Sequence, residues 1–317
     1  MSRMMPRTRD FLEPEEIREL RQRSDWRGAW LVAHAWGVIA AAMVAVALVP
    51  HPLVFLVGLF VVAGRQLGLA ILMHDAAHGL LFKSRRLNDF FGQWFCAVPL
   101  GADMPAYRRY HIIHHKNTQQ DTDPDLVLSA PFPITRASLV RKILRDLVGW
   151  TFLRTRLLQF GATLGPKDQP MDKRLGPALR ILGSFLAVNA LMWAGLAALG
   201  YGYLYLLLWL LPLATGYQLV LRIRNIAEHA MTRDRDDPLL NTRTTRTNWF
   251  TRIFLAPYWV NYHIEHHLFL FVPCYRLKRA HEMLLEKGYG PKMELQPGYT
   301  AVLNLAASRG RRLSPAT

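Results

Sequence analysis

Nine of the twelve histidines fall into four short groups whose residue types and spacing are those of metal ligands. MHDAAHG carries His74 and His78, HIIHH carries His111, His114 and His115, RNIAEHA carries His229, and NYHIEHHLF carries His263, His266 and His267. Residues at i, i+3 and i+4 of a helix share one face, so each group can present its imidazoles to one point. A lone histidine near an apolar helix, as His229 is, more often serves as a hydrogen-bonded core residue. Two HxxHH motifs together with an HxxxH are a far more specific signal of metal. Because a zinc ion takes four protein ligands, or three and a water, nine imidazoles are too many for one ion and divide naturally into two sets of four or five. Imidazole suits zinc, copper, iron and nickel, so ligand type leaves the metal open. His34, His51 and His281 stand outside these groups.

Such groups need elements to bring them together, and the composition points to a membrane. A formal net charge of +16 coexists with 51% hydrophobic residues. A bilayer core of about 30 Å takes roughly 20 apolar helical residues, and four stretches approach that length, at about 30–49, 53–73, 177–199 and 203–221. Only Pro50, His51 and Pro52 separate the first pair, and only Gly200, Tyr201 and Gly202 the second, so each pair is expected to form a helical hairpin. Arg18, Arg21, Arg23 and Arg27 precede the first span, Lys83, Arg85 and Arg86 follow the second, and Arg222 and Arg224 follow the fourth. Cytoplasmic flanks are enriched in such residues, which puts both termini, the middle loop and all four histidine groups on the cytosolic side.

The expected fold is therefore an all-α integral membrane protein, four transmembrane helices in two hairpins with a cytosolic helical cap from 74–176 and 222–305. Residues 1–28 read as a cytosolic arm, 29–305 as the membrane domain and 306–317 as a disordered tail. The segments 90–100, 139–158 and 249–259 are too short or too mixed to span and suit helices lying in the interface. The first 28 residues lack the apolar core of a cleaved signal peptide. Cys96 and Cys274 have no CxxC partner, which argues against thiolate zinc and a disulfide framework. Lys and Arg flank membrane segments and no nucleic-acid motif is present, so anionic lipid headgroups, an acidic electron donor or an acyl carrier are better partners than nucleic acid.

HDAAHG, HIIHHKNTQQDTDP and NYHIEHHLF resemble, in order and on the same topology, the three histidine boxes of the membrane fatty acid desaturases. The resemblance implies two irons that use dioxygen and two electrons to break an unactivated C–H bond, with His74, His78, His111, His114, His115, His263, His266 and His267 as ligands. RNIAEH is similar to the Asn and His four apart in acyl-CoA desaturases, which implies His229 as the ninth ligand and Asn225 reaching one iron through water. Gln218, Arg222, Asn225 and His229 then form one polar helical stripe. Electrons would come from a separate carrier such as ferredoxin or cytochrome b5, since no HPGG haem motif is present. The substrate would be an acyl lipid, acyl-CoA or acyl-carrier conjugate, and the bacterial inner membrane the setting.

Carboxylates often orient metal-bound imidazoles through the second ring nitrogen; Asp75 is placed for this, and Asp121 and Asp123 match the acidic stretch after the family's second box. Glu265 lies about 200° around the helix from His263 and should point away from the metals into a salt bridge. Arg65 and Gln66, inside the second span, are expected to be structural. Many desaturases have Pro where Leu270 stands, which could alter the following turn. Three other readings share parts of this pattern: a lipid or carotenoid hydroxylase or ketolase with the same two irons, a membrane zinc-dependent lipid hydrolase, and a non-catalytic lipid-binding protein stapled by metal. HHKNTQQDTDPDL and VPCYRLKRAHEML look more like the acyl desaturases, and HExxH is absent.

Overall fold

Proline starts the helix that carries the first histidine group, and an aspartate cap the helix that carries the second. In a computed structural model that describes residues 8–164 and 168–309, Pro14–Leu20 (α1) is followed by Asp25–Leu48 (α2), where Ser24 Oγ accepts from Arg27 N as a cap. The chain continues through Pro52–Ala77 (α3), Arg85–Phe91 (α4), Met104–Asn117 (α5), Arg136–Leu147 (α6), Trp150–Thr163 (α7) and Met171–Ala198 (α8). Gly202–His229 is α9. The short helices Trp249–Phe254 (α10), His263–Leu268 (α11), Leu277–Glu286 (α12) and Tyr299–Ala306 (α13) complete the fold.

Among the described residues, four helices are long and apolar enough to cross a membrane: α2, α3, residues 178–198 of α8, and α9. Two outrun the sequence estimate. The second span was expected to end at 73 and α3 runs to Ala77, so His74 is helical; the fourth was expected to end at 221 and α9 runs to His229, carrying Asn225 on the same helix. Within α9, Leu206–Leu210 is a π turn and Thr215 leaves helical backbone at φ −122°, ψ −83°. Pro212 lacks the N–H that a regular helix needs and breaks the ladder nearby. Gln66 Nε2 donates to the Trp209 carbonyl at 2.8 Å, supplying a hydrogen bond inside the bundle. This is the structural role expected of Gln66.

A buried asparagine ties α8 to its neighbour. Asn189 Oδ1 accepts from Tyr205 Oη at 3.0 Å and Trp209 Nε1 at 2.9 Å, polar contacts that favour association where lipid offers no partner. Arg65, 6% exposed, donates through Nη2 to the carbonyls of Arg252 (3.1 Å) and Ile253 (2.8 Å) and so holds α10 against α3. The approach is close because Gly64 and Gly68 face it. A Cβ at Gly64 would lie 2.6 Å from the Ile253 carbonyl oxygen, and one at Gly68 2.7 Å from the Tyr258 ring.

The all-α expectation needs one correction: Thr244–Thr245 and Leu295–Gln296 pair as two-residue parallel strands, and Thr244 also bridges to Tyr262. The N-terminal segment packs closely on the rest, with Leu12 and Leu20 buried, Phe11 against Phe269 and Tyr289, and Ser24 N bonded to Tyr275 Oη. Of the tail expected from residue 306, Ala306, Ala307 and Ser308 are buried and the Ala306 carbonyl accepts from Ile134 N; residues 310–317 lie outside the described residues. Cys96 and Cys274 are free, buried thiols. Leu270 is exposed at the surface.

Candidate metal centre

Three helix ends converge. His74 occupies the last turn of α3 and His78 its C-terminal cap. Pro105 stands in the first turn of α5, and Asp103 Oδ1 accepts from Ala106 N at 2.9 Å, so the helix that carries the second histidine group has a defined start. The six-residue α11 is too short to hold itself, and Thr244 fixes it: its Oγ1 accepts from Ile264 N (3.3 Å) and donates to Glu265 Oε2 (2.6 Å). Buried Arg243 secures the end of α9 by donating to the Met231 carbonyl at 2.9 Å and the Ala227 carbonyl at 3.3 Å.

The imidazoles do not gather group by group. His74, His78, His111, His115 and His266 bring ligand nitrogens within 4.8 Å of one another; His114, His229 and His267 form a second set, and Glu228, His229 and His263 a third that shares His229. His263 Nε2 lies 2.8 Å from His229 Nε2 and 3.1 Å from His267 Nε2, so the last two sets merge. The result is five imidazoles around one point and four around another. This corrects the expectation that each group faces one point. On a helix, i and i+4 differ by about 40° whereas i+3 lies about 100° from i+4. His111 and His115 therefore join the first set while His114 joins the second; His263 and His267 join the second while His266 crosses to the first.

The donors fit metal. His74 Nε2 and His78 Nε2 are buried without a hydrogen-bond partner, which native proteins avoid unless something else satisfies the atom. His115 Nε2 lies 2.8 Å from His111 Nε2 and 3.1 Å from His266 Nε2. Two ligand atoms bound at about 2.1 Å to one ion with 90–109° between them are about 3.0–3.4 Å apart, close to these separations. Burial pushes the His78 imidazole down to about 4 and holds those of His111, His115, His263, His266 and His267 well below the usual range, with neighbouring imidazoles adding to the effect on these five. They are neutral near pH 7, the form that binds metal.

A pH dependence follows for the metal-free protein. Between 6.5, the ordinary histidine value, and about 4 the unfolded chain binds a proton at His78 that the folded chain refuses. The contribution of His78 to stability is then flat above about pH 6.5 and falls as pH drops toward 4. Thermal melts of chelator-treated protein from about pH 8 down to about pH 5 should show the midpoint decline only in the acid half.

The carboxylates separate into distinct roles. Asp123 Oδ1 lies 2.8 Å from His114 Nδ1 and its Oδ2 accepts from Gln119 N at 2.8 Å, which is the orienting arrangement expected of it. Asp75 instead accepts from Cys274 N at 2.8 Å and stands 3.9 Å from His74 Nδ1, too far for a hydrogen bond; it ties the end of α3 to the segment after α11. Asp121 is solvent-exposed and pairs with Arg235 at 2.8 Å, away from every imidazole set. Glu265 points away from the histidine sets as expected, but it is fully buried and its partners are His281 Nδ1 at 2.5 Å and Thr244. Asn225 borders a cavity of about 20 Å³ with Tyr107, His114, Glu228, His229 and His263. That volume holds one water.

Sequence reasoning missed three residues here. Glu228 is 3% exposed, takes Arg224 Nε on Oε1 at 2.7 Å, and turns Oε2, which has no hydrogen-bond partner, to 3.5 Å from His263 Nε2. Its signal was its i+3 spacing from Asn225. Asp125 Oδ2 stands 3.6 Å from His114 Nδ1 and accepts from Tyr110 on Oδ1, two residues past the aspartate that was recognised. Gln119 adopts φ +63°, rare for a non-glycine residue, and donates through Nε2 to the His229 carbonyl; no propensity signal foretells this.

A model of the fatty acid desaturase family matches residues 50–297. The chain is 28% identical over 308 residues to the dihydrorhizobitoxine desaturase of Bradyrhizobium elkanii, covering 93% of this chain and 82% of that protein. It is 25% identical over 255 residues to a beta-carotene ketolase of Paracoccus sp. strain PC1, covering 79% of this chain and 87% of the relative. A second beta-carotene ketolase, from Paracoccus sp. strain N81106, is 24% identical over 253 residues, covering 78% and 86%.

Proposed function

Since the chain belongs to the fatty acid desaturase family, whose relatives are oxidoreductases, we propose that it is a membrane desaturase that introduces a double bond into an acyl chain using dioxygen and two external electrons. The observation that carries this reading is the division of nine imidazoles, six of them buried and three half-buried, into sets of five and four. Two irons held by His74, His78, His111, His115 and His266, and by His114, His229, His263 and His267, would supply the oxidising power to break an unactivated C–H bond. In this reading α2 with α3 and α8 with α9 are the two hairpins, the remaining helices cap them on the cytosolic face, and a ferredoxin or cytochrome b5 delivers electrons there.

The chain's own residues prepare the site. Asp123 accepts the Nδ1 proton of His114 and leaves Nε2 free to bind. Asn225 borders the adjoining cavity, where it would hold a water. Ile71, Val260 and Leu277 supply the apolar part of the wall of the space beside His74, His263 and His266, which Asp75 and Arg224 also border, and would help keep bulk water from a reacting carbon. Replacing Asp123 by Ala removes the acceptor that orients the His114 ring and is expected to lower metal affinity about 10–100-fold, measured as metal retained against a chelator.

A second reading is favoured by the two beta-carotene ketolase relatives: the same centre acting on a carotenoid ring carbon. Expression in a host that makes both acyl lipids and carotenoids, followed by mass spectrometry of extracts, separates the two. Acyl products lacking two hydrogens, absent with His266→Ala, support the desaturase. Pigments that gain an oxygen and lose two hydrogens, with acyl lipids unchanged, overturn it in favour of the ketolase.

A further inference from the structure

Arg65 carries a charge that the described residues leave unneutralised. It is 6% exposed, its Nε is buried with no hydrogen-bond partner, and among the described residues it forms no ion pair. Two backbone carbonyls take Nη2, and its guanidinium carbon sits 5.5 Å from the centre of the Tyr258 ring. These contacts solvate a cation without cancelling it. A buried charge is costly unless it is paired, and inside a membrane helix such a group marks a functional site by default.

The space beside Arg65 supplies the missing element. A cavity of about 250 Å³ is lined by Arg65, Trp30, His34, Arg252, Tyr258 and Trp259, among others, with no acidic residue in its wall. A neighbouring cavity of about 350 Å³ shares Trp30 and Trp259 and adds Arg27 and Tyr275, again without an acid. His34 is already engaged through Nδ1 with the Tyr258 hydroxyl at 3.0 Å. The lining is thus cationic and aromatic.

Exposed aromatic residues fix the level of this cavity. Trp30 is 58% exposed, and on α10 Trp249 is 73% and Phe250 51% exposed, as in the aromatic belts that mark membrane interfaces. The backbone around the cavity is specialised: Tyr258 and Trp259 both have positive φ, +52° and +59°, strained conformations that cluster at ligand clamps.

We infer that this cavity binds the anionic head, carboxylate or phosphate, of a membrane amphiphile, with Arg65 as the buried counter-charge, Arg252 at the rim, and the tail leaving past Trp30 and Trp259 into the bilayer. Tyr258 also borders the small space beside His74, His263 and His266, so one side chain separates the head site from the first histidine set. The site stands on Arg65 and its cavity and does not depend on which metal the histidines hold.

Equilibrium binding of radiolabelled oleate and lysophosphatidate to the purified full-length protein in neutral detergent tests this, with methyl oleate and monoolein as uncharged counterparts and inorganic phosphate as competitor. The anionic probes should bind at least about tenfold more tightly than their counterparts, a difference of about 1.4 kcal/mol, and phosphate alone should not displace them. Arg65→Gln should reduce anionic binding to the level of the uncharged probes, with metal content retained, whereas Lys278→Gln on the surface of α12 should change nothing. Equal binding of charged and uncharged probes to the wild type overturns the inference even if Arg65→Gln does not fold. So does wild-type affinity in a folded Arg65→Gln protein, and displacement by phosphate removes the amphiphile.

Discussion

Replacing His266 with Ala is expected to empty the same metal centre as replacing His111 or His115, whereas replacing His114, the immediate neighbour of His115, is expected to empty the other. His266 Nε2 lies 3.1 Å from His115 Nε2 across 151 residues of sequence, and its ring centre is 4.4 Å from that of His74. His114 faces away from that point; its ring centre is 4.7 Å from His229 and 5.1 Å from His267. Loss of a directly bound imidazole should exceed the 10–100-fold effect of losing an outer partner, so each variant should fall below about 1% of wild-type activity. The discriminating readout is spectroscopic. In protein loaded with the Mössbauer isotope of iron, His111→Ala, His115→Ala and His266→Ala should lose or alter one component, and His114→Ala and His267→Ala the other. If losses follow the sequence motifs, so that His266→Ala matches His267→Ala, the five-and-four division is wrong.

The second large effect is expected at a residue that touches no metal. Glu265 is fully buried and accepts from His281 Nδ1 and Thr244 Oγ1, so it fastens α11 to α12 and to the Thr244–Thr245 strand. It stands between His263 and His266, which fall in different histidine sets. Glu265→Ala leaves two buried polar groups without an acceptor and frees α11 to rotate. Leaving a buried hydrogen-bonding group without its partner costs about 1–3 kcal/mol, and both histidine sets should lose metal together. Chemical denaturation and metal analysis of Glu265→Ala check this, with Glu265→Gln as the milder change because it retains an acceptor oxygen. Unaltered stability, or loss confined to one centre, would show that α11 is held by other contacts.

The difference between these two cases explains what could be read from the sequence. The spans were legible because lipid demands long apolar runs, and the metal character was legible because HxxHH and HxxxH place rings on one helical face. Even the direction of Glu265 followed from helical angle. The division of the rings was not legible, because it depends on how α5 and α11 face each other, and a sequence gives angles within one helix but not between helices. The same limit explains Asp121 and Asp123, two residues apart in QDTDP, where a turn buries one against His114 and leaves the other in solvent with Arg235. Asp75 looked like an orienting acid because it adjoins His74; on a helix, adjacent residues point about 100° apart, and it found Cys274 N instead. Glu228 shares a helical face with Asn225 at i+3, but that spacing does not show that its free oxygen turns toward His263, which depends on how α9 and α11 meet.

Most of what is proposed for this protein rests on the two histidine sets holding iron. Inductively coupled plasma mass spectrometry of the full-length protein purified from membranes, combined with oxygen uptake in the presence of reductant and lipid extract, measures that directly. The account predicts two irons per chain and oxygen consumption that disappears with His266→Ala. Zinc in place of iron with no oxygen uptake, or a single metal per chain at full activity, would contradict it.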